Sequence, residues 1–227
     1  MTSIGVGWVE GPEDFLAEQL RNELLNVVAG LPDVPCGFLR SDETKPPLNR
    51  SVFGAPNDGG GATRLADRVD LLMLGGHGSG SSFDLGANES IGPNNVTFGG
   101  SLRCLVMVSC AILEGDPGNV TGGPEDWGRA FAELHHLIGP STFVTPSPGR
   151  GERFASYLRD GYSFVDAWRY ACDEAGGSGA KSWRWLVRAD DDALDGLRSE
   201  TLGAPAPDAH TMKFHLFDLN ALPSSTP

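Results

Sequence analysis

Apolar residues fall along this chain in short runs that alternate with segments of helical spacing. Ile4 to Val9 is a short apolar run closed by Glu10, Gly11 and Pro12, which predicts a first strand. Pro12 and the acidic pair Glu13 and Asp14 suit the start of a helix, where the dipole favours negative charge. Phe15, Leu16, Leu20, Leu24 and Val28 then fall on or near one helical face, and Gly30 supplies a stop. Cys36 to Leu39 gives a second short strand. Ser41 to Asn57, rich in Pro, Asn and Ser, reads as loop and is continued by Gly59 to Gly61.

Two runs differ from the rest in being apolar without interruption. "VDLLMLGG", Val69 to Gly76, and "LRCLVMVSC", Leu102 to Cys110, fit central parallel strands covered on both faces. Between them, Gly78 to Gly100 is rich in Gly, Ser and Asn and predicts a long loop with room for a small hairpin; loops of this length tend to carry function. After an irregular stretch from Glu114 to Glu125, "WGRAFAELHH" has helical spacing, with Asp126 as its N-cap. "LIGPSTFVTP" predicts a strand, Gly149 to Asp160 and Ser163 to Glu174 predict helices, and "WRWLVRA" predicts another strand. A last strand is expected at Lys213 to Phe217 within a Pro-rich tail. The alternation of strand and helix describes one α/β domain over residues 1–227, with a mostly parallel sheet and a partly irregular tail at 203–227.

Charge changes the picture of partners. Thirty acidic against seventeen basic side chains give a formal net charge of −13, a field that opposes phosphate backbones and anionic lipid. Neither nucleic acid nor membrane is expected as a partner. No apolar run is long enough to span a bilayer, and the first residues lack the pattern of a signal peptide, so the expected location is the cytoplasm. Cys36, Cys104, Cys110 and Cys172 form no CxxC pair, which argues against a disulfide framework or a zinc site. His210 and His215 have no matching ligands nearby, and no metal or cofactor is expected. His135 and His136 are adjacent on a predicted helix and read as core or surface residues. Trp127, Trp168, Trp183 and Trp185 read as core, and Asp190, Asp191, Asp192 and Asp195 as a solvated helix start.

The chemistry is expected where the two central strands stop. "LLMLGGHGSGSS" places His77 directly after one strand, and "CLVMVSCAIL" places Cys110 at the end of the other. Carboxyl ends of parallel strands form the crevice where ligands bind in open sheets. A thiol needs a base to become a nucleophilic thiolate, and imidazole suits that task near neutral pH. The amides of Gly78 and Cys110 are natural oxyanion donors. Asp84 and Glu114, just beyond the two motifs, are candidates to hold a cationic substrate side chain. "GGHGSG" carries no phosphate-loop signature, and Ser79 between Gly78 and Gly80 makes no nucleophile elbow.

The motifs "LGGHGSG" (74–80) and "VMVSCAIL" (106–113) resemble those of the caspase, legumain, gingipain and separase clan. "DWGRAFAELHHLIGPSTF" and "FASYLRDGYSFVDAWRYA" further resemble a bacterial caspase-like family of unassigned function, so the likeness covers roughly Val69 to Ala189. The resemblance implies a caspase-like αβα sandwich. It also implies His77 as general base or acid, Cys110 as nucleophile and the Gly78 amide in an oxyanion hole. The expected activity is hydrolysis of a peptide or related amide; transfer to an amine by the same dyad, or a silent binding module, are the alternatives. Ser109 and Ala111 flank the cysteine where caspases have Q-A-C-[RQG]-G, so a preference for aspartate does not carry over.

Overall fold

A computed structural model describes residues 2–9, 15–39, 53, 66–80, 82–86, 89–115, 123–176, 182–204 and 213–223. The predicted loops at 41–57 and 59–61 lie outside the described residues except for Phe53, as does His210. The strands are β1 (Ile4–Trp8), β2 (Cys36–Leu39), β3 (Leu71–Gly75), β4 (Gly78–Ser79), β5 (Ser82–Gly86), β6 (Glu89–Ile91), β7 (Cys104–Val108), β8 (His136–Pro140), β9 (Trp183–Arg188) and β10 (Phe214–Asp218). The helices are α1 (Phe15–Gly30), α2 (Gly123–Gly128), α3 (Pro148–Arg159), α4 (Phe164–Ala175) and α5 (Leu194–Arg198).

Among the described residues, seven strands form one sheet in the order β10-β9-β8-β7-β3-β1-β2. The pairs β2–β1, β1–β3, β3–β7 and β7–β8 are parallel, while β9 runs antiparallel to both its neighbours. The chain is thus an α/β sandwich around a mostly parallel sheet. Every residue of β1, β3, β7 and β8 is buried, which is why these strands are written as unbroken apolar runs.

Alternation along each strand feeds two cores. Leu71 and Met73 of β3, with Cys104, Val106 and Val108 of β7, pack on the side of α1, α3 and α4. Leu72 and Leu74, with Leu105 and Met107, pack on the opposite side against Phe83, Phe98 and Trp127. On the first side α1 and α3 approach so closely that a side chain on Gly151 would strike the backbone carbonyl of Glu23. Trp127, Trp168, Trp183 and Trp185 are all buried, as their sequence context predicts.

Three segments differ from expectation: the strand expected over 137–146 stops at Pro140, and two others change type or extent. The stretch after His77 is a three-stranded antiparallel meander, β4-β5-β6, rather than a loop with one hairpin. The helix expected from Asp126 through His136 begins earlier, at Gly123, and stops at Gly128, with Asp126 inside it. Three turn bonds, Arg129 to Asp126, Ala130 to Trp127 and Phe131 to Gly128, tighten the exit. Phe98 then captures the strand-like backbone: its N–H donates to the Ala130 carbonyl (2.6 Å) and its carbonyl accepts from Ala132 N–H (2.8 Å). Tertiary pairing overrides the helical spacing of this segment, and His136 enters β8 instead.

Candidate active site

His77 and Cys110 each lie two residues beyond the end of their strand, and the strands are neighbours. Gly75 is paired with Val108, and the Gly76 N–H donates to the Val108 carbonyl (3.2 Å), so the chain leaves both strands at one level. His77 is exposed and Cys110 half-buried. Both line a single cleft of about 100 Å³ on the α1 side of the sheet. No hydrogen bond joins their side chains; catalytic contacts of this kind often close only when substrate is bound.

The hairpin after His77 fixes the Gly78 amide. Asp84 N–H donates to the His77 carbonyl (2.9 Å), so by the alternation of an antiparallel ladder Gly78 and Phe83 form the next, non-hydrogen-bonded pair. The Gly78 N–H therefore takes no part in the hairpin ladder. Gly78 has no space for a side chain, which would collide with the Ser109 hydroxyl and lie 2.8 Å from Ile112 Cδ1. The Ser109 hydroxyl itself is buried without a hydrogen-bond partner.

Beyond Cys110 the backbone turns sharply. Ala111 has φ of 52°, in the left-handed region that costs a non-glycine residue about 1 kcal/mol. The turn is held by Ala111 N–H donating to Thr142 and Leu113 N–H to Pro140, both at 3.0 Å. Cys110 is thereby fastened to the loop that follows β8.

That loop and α1 build the rest of the cleft. Leu16 and Leu20 come from α1, Val144 and Pro146 from the loop, Val9 from the end of β1, and Val108 from the floor. Sequence reading places Leu16 and Leu20 on or near one face of α1 but gives no sign that they border Cys110. Val144 and Pro146 sit in what reads as the end of a strand. The α1–loop junction rests on Glu23. This buried carboxylate accepts from Arg150 Nε (2.6 Å), Arg150 Nη2 (3.0 Å) and Ser147 N–H (2.7 Å). Burial pushes the Glu23 carboxyl up, against the opposing pull of Arg150 and Ser147.

Asp84 and Glu114 are both exposed and lie outside the cleft lining; Asp84 is on β5, and Glu114 approaches Gly80. Of the other cysteines, Cys104 and Cys172 are buried and Cys36 is half-buried. Burial pushes the thiols of Cys104 and Cys172 far up, disfavouring their thiolates.

A second polar cluster was not legible in the sequence. Glu200 is buried and accepts from His135 Nδ1 (2.7 Å), His136 Nε2 (2.9 Å) and Arg103 Nη1 (2.9 Å). The two ring nitrogens and the Glu200 oxygen lie within 4.8 Å of one another, close enough to suggest metal ligation. The bonding says otherwise. Trp185 Nε1 donates to His136 Nδ1 (3.0 Å), and an indole N–H can only donate, so His136 carries its proton on Nε2 and gives it to Glu200. The lone pair a metal needs at that nitrogen is absent. Burial lowers the His136 pKa, with Glu200 pulling the other way. Burial also opposes ionisation of Glu200, but the bonds from His135 and His136 outweigh it and hold the carboxyl at about 2. This is a structural knot between the loop before β8 and the segment after α5. Asp191, one of the acidic run, pairs with Lys213 (2.8 Å) at the surface, and His215 bonds the Ala189 carbonyl (3.0 Å).

The molecule is therefore an α/β sandwich with a thiol and an imidazole at the carboxyl ends of two adjacent parallel strands. Residues 51–198 match the family described as a domain of unknown function, DUF6345. The match spans more than half of the chain, and the chain belongs to this family. It includes His77, Gly78 and Cys110, whereas Leu16, Leu20 and Glu23 lie before it. No curated protein matches the sequence.

Proposed function

We propose that the protein is a cysteine hydrolase, similar to the caspase-like clan, that cleaves a peptide or related amide with Cys110 as nucleophile and His77 as general base and acid. The observation that carries this reading is the in-register pairing of β3 and β7, which delivers His77 and Cys110 to one cleft. The Cys110 thiol gives its proton to His77, and the thiolate adds to the substrate carbonyl carbon. The Gly78 and Cys110 amides receive the resulting oxyanion. The amine leaves with the proton from His77, and a thioester remains. His77 then takes a proton from water, whose oxygen attacks the thioester and releases the acid and the free thiol. A cytoplasmic setting, in which thiols stay reduced, goes with this chemistry. Where an amine replaces the water, the same dyad joins chains, and product mass separates the two outcomes.

Iodoacetamide labelling followed by site mapping tests the dyad. Cys110 should react at least tenfold faster than Cys36, and His77→Ala should remove that advantage. Equal rates at Cys110 and Cys36 would overturn the reading. The lack of a hydrogen bond between His77 and Cys110 favours a second reading, a silent binding module. It predicts that a His77→Ala, Cys110→Ala double variant keeps full biological effect; loss of effect with the fold intact removes it.

A further inference from the structure

Taking the hydrolase reading as given, we infer that the cleft beside Cys110 is a specificity pocket for an uncharged aliphatic side chain of about leucine size at the residue next to the scissile bond. Three observations on this site point the same way.

The first is the lining. Apart from the dyad of His77 and Cys110 and the Ser109 hydroxyl, the described lining of the cleft is apolar and carries no ionisable group. The walls are Val9, Leu16, Leu20, Val108, Val144 and Pro146. A carboxylate or guanidinium placed there would lose its hydration without gaining a counter-charge, and such burial is strongly unfavourable. Asp84 and Glu114, the acidic residues near the two motifs, do not border the cleft. The net charge of −13 therefore need not translate into a cationic substrate pocket.

The second is size. The cleft holds about 100 Å³, whereas a dry cavity of about 150 Å³ accepts benzene. A branched aliphatic side chain matches this space better than an indole.

The third is exposure. Among the residues whose burial is described, two large apolar side chains stand open to solvent, Leu16 at 50% and Phe143 at 82%. Leu16 lines the cleft, and Phe143 directly precedes the lining residue Val144 in the loop fastened to Ala111. Elsewhere the described chain covers its large apolar groups. Leu16 thus leaves apolar surface open on the cleft wall itself, where it suits contact with an apolar ligand group.

The test uses the full chain and a series of N-capped dipeptidyl acyloxymethyl ketones that differ only in the residue beside the warhead: Leu, Val, Gly, Asp, Arg or Trp. The readout is the rate of Cys110 alkylation by intact mass and site mapping. Leu and Val probes should react at least tenfold faster than Asp, Arg and Trp probes. Leu16→Lys should lower the ratio of Leu to Gly rates fivefold or more, whereas Leu16→Met should keep it. A fastest rate with Asp, Arg or Trp, or rates independent of that residue, overturns the pocket while leaving the dyad standing. Alkylation of Cys110 no faster than of Cys36 by every probe removes the hydrolase reading and the pocket with it.

Discussion

Cys110 is set apart from the other thiols by its surroundings. Cys104 and Cys172 are sealed in the core with their thiolates disfavoured, so Cys36 is the fair comparison in any reactivity experiment. In native protein, mapping of mild alkylation should find label at Cys110 and Cys36 and none at Cys104 or Cys172. Gly78 is the other residue with no freedom. Gly78→Ala places a methyl against the Ser109 hydroxyl and Ile112, which must shift the hairpin that carries His77. We expect it to lower the Cys110 alkylation advantage tenfold or more while costing about 1–3 kcal/mol of stability by denaturant titration, as overpacking does. Ala111 offers the opposite case: its left-handed backbone tolerates Gly without strain, so Ala111→Gly should leave the melting temperature unchanged or raised, whereas Ala111→Val should lower it.

Among the elements, α1 and α3 depend on one buried ion pair. Glu23 and Arg150 are both fully enclosed, and Arg150 also lies over Trp168 and Trp183 at 5.4 and 4.9 Å. Removing one partner strands the other charge: Glu23→Ala should cost about 3–5 kcal/mol in denaturant unfolding, and the double change Glu23→Leu, Arg150→Met should recover most of it. Nothing in the sequence announces this pair, because the partners are separated by 127 positions and each looks like an ordinary polar residue on a helix. The central strands were legible for the converse reason. Burial on both faces leaves unbroken apolar runs, and the residues at which those runs stop, His77 and Cys110, could be named without knowing that the strands adjoin. The helix assigned to 126–136 was misread because its apolar spacing satisfies a turn and two strand-like contacts equally well. Only the Phe98 backbone, more than thirty residues before the groups it bonds, decides between them.

At the scale of the whole molecule, protonation enters through the Glu200 knot. His136 is held neutral, its pKa below the ordinary value of 6.5, so the unfolded chain takes up that proton first. Stability from this group is complete above pH 6.5 and declines as the pH falls below it. Glu200 follows the same sign lower down: with a folded value of about 2 against 4.5, its contribution is intact above pH 4.5 and is lost between those limits. The second step amounts to about 3 kcal/mol. Melting temperature should therefore fall in two stages on acidification, and Glu200→Gln should lower stability at neutral pH and flatten the more acidic stage. None of this was legible in the sequence, where His135 and His136 fall on a predicted helix and Glu200 stands far from both. The cleft, too, is a meeting of distant segments: α1 supplies one wall and the loop after β8 the other, tied by Glu23 across more than a hundred positions. A guest lodged between them exists only while both ends of that span are in place. Occupancy is thus linked to folding by mass action, and a ligand at one hundred times its dissociation constant adds about 2.7 kcal/mol to the native state. Melting alone then becomes a way to search for a ligand of this cleft, since under the proposed reading an aliphatic peptide that seats there shows itself as heat resistance in a Cys110→Ala variant.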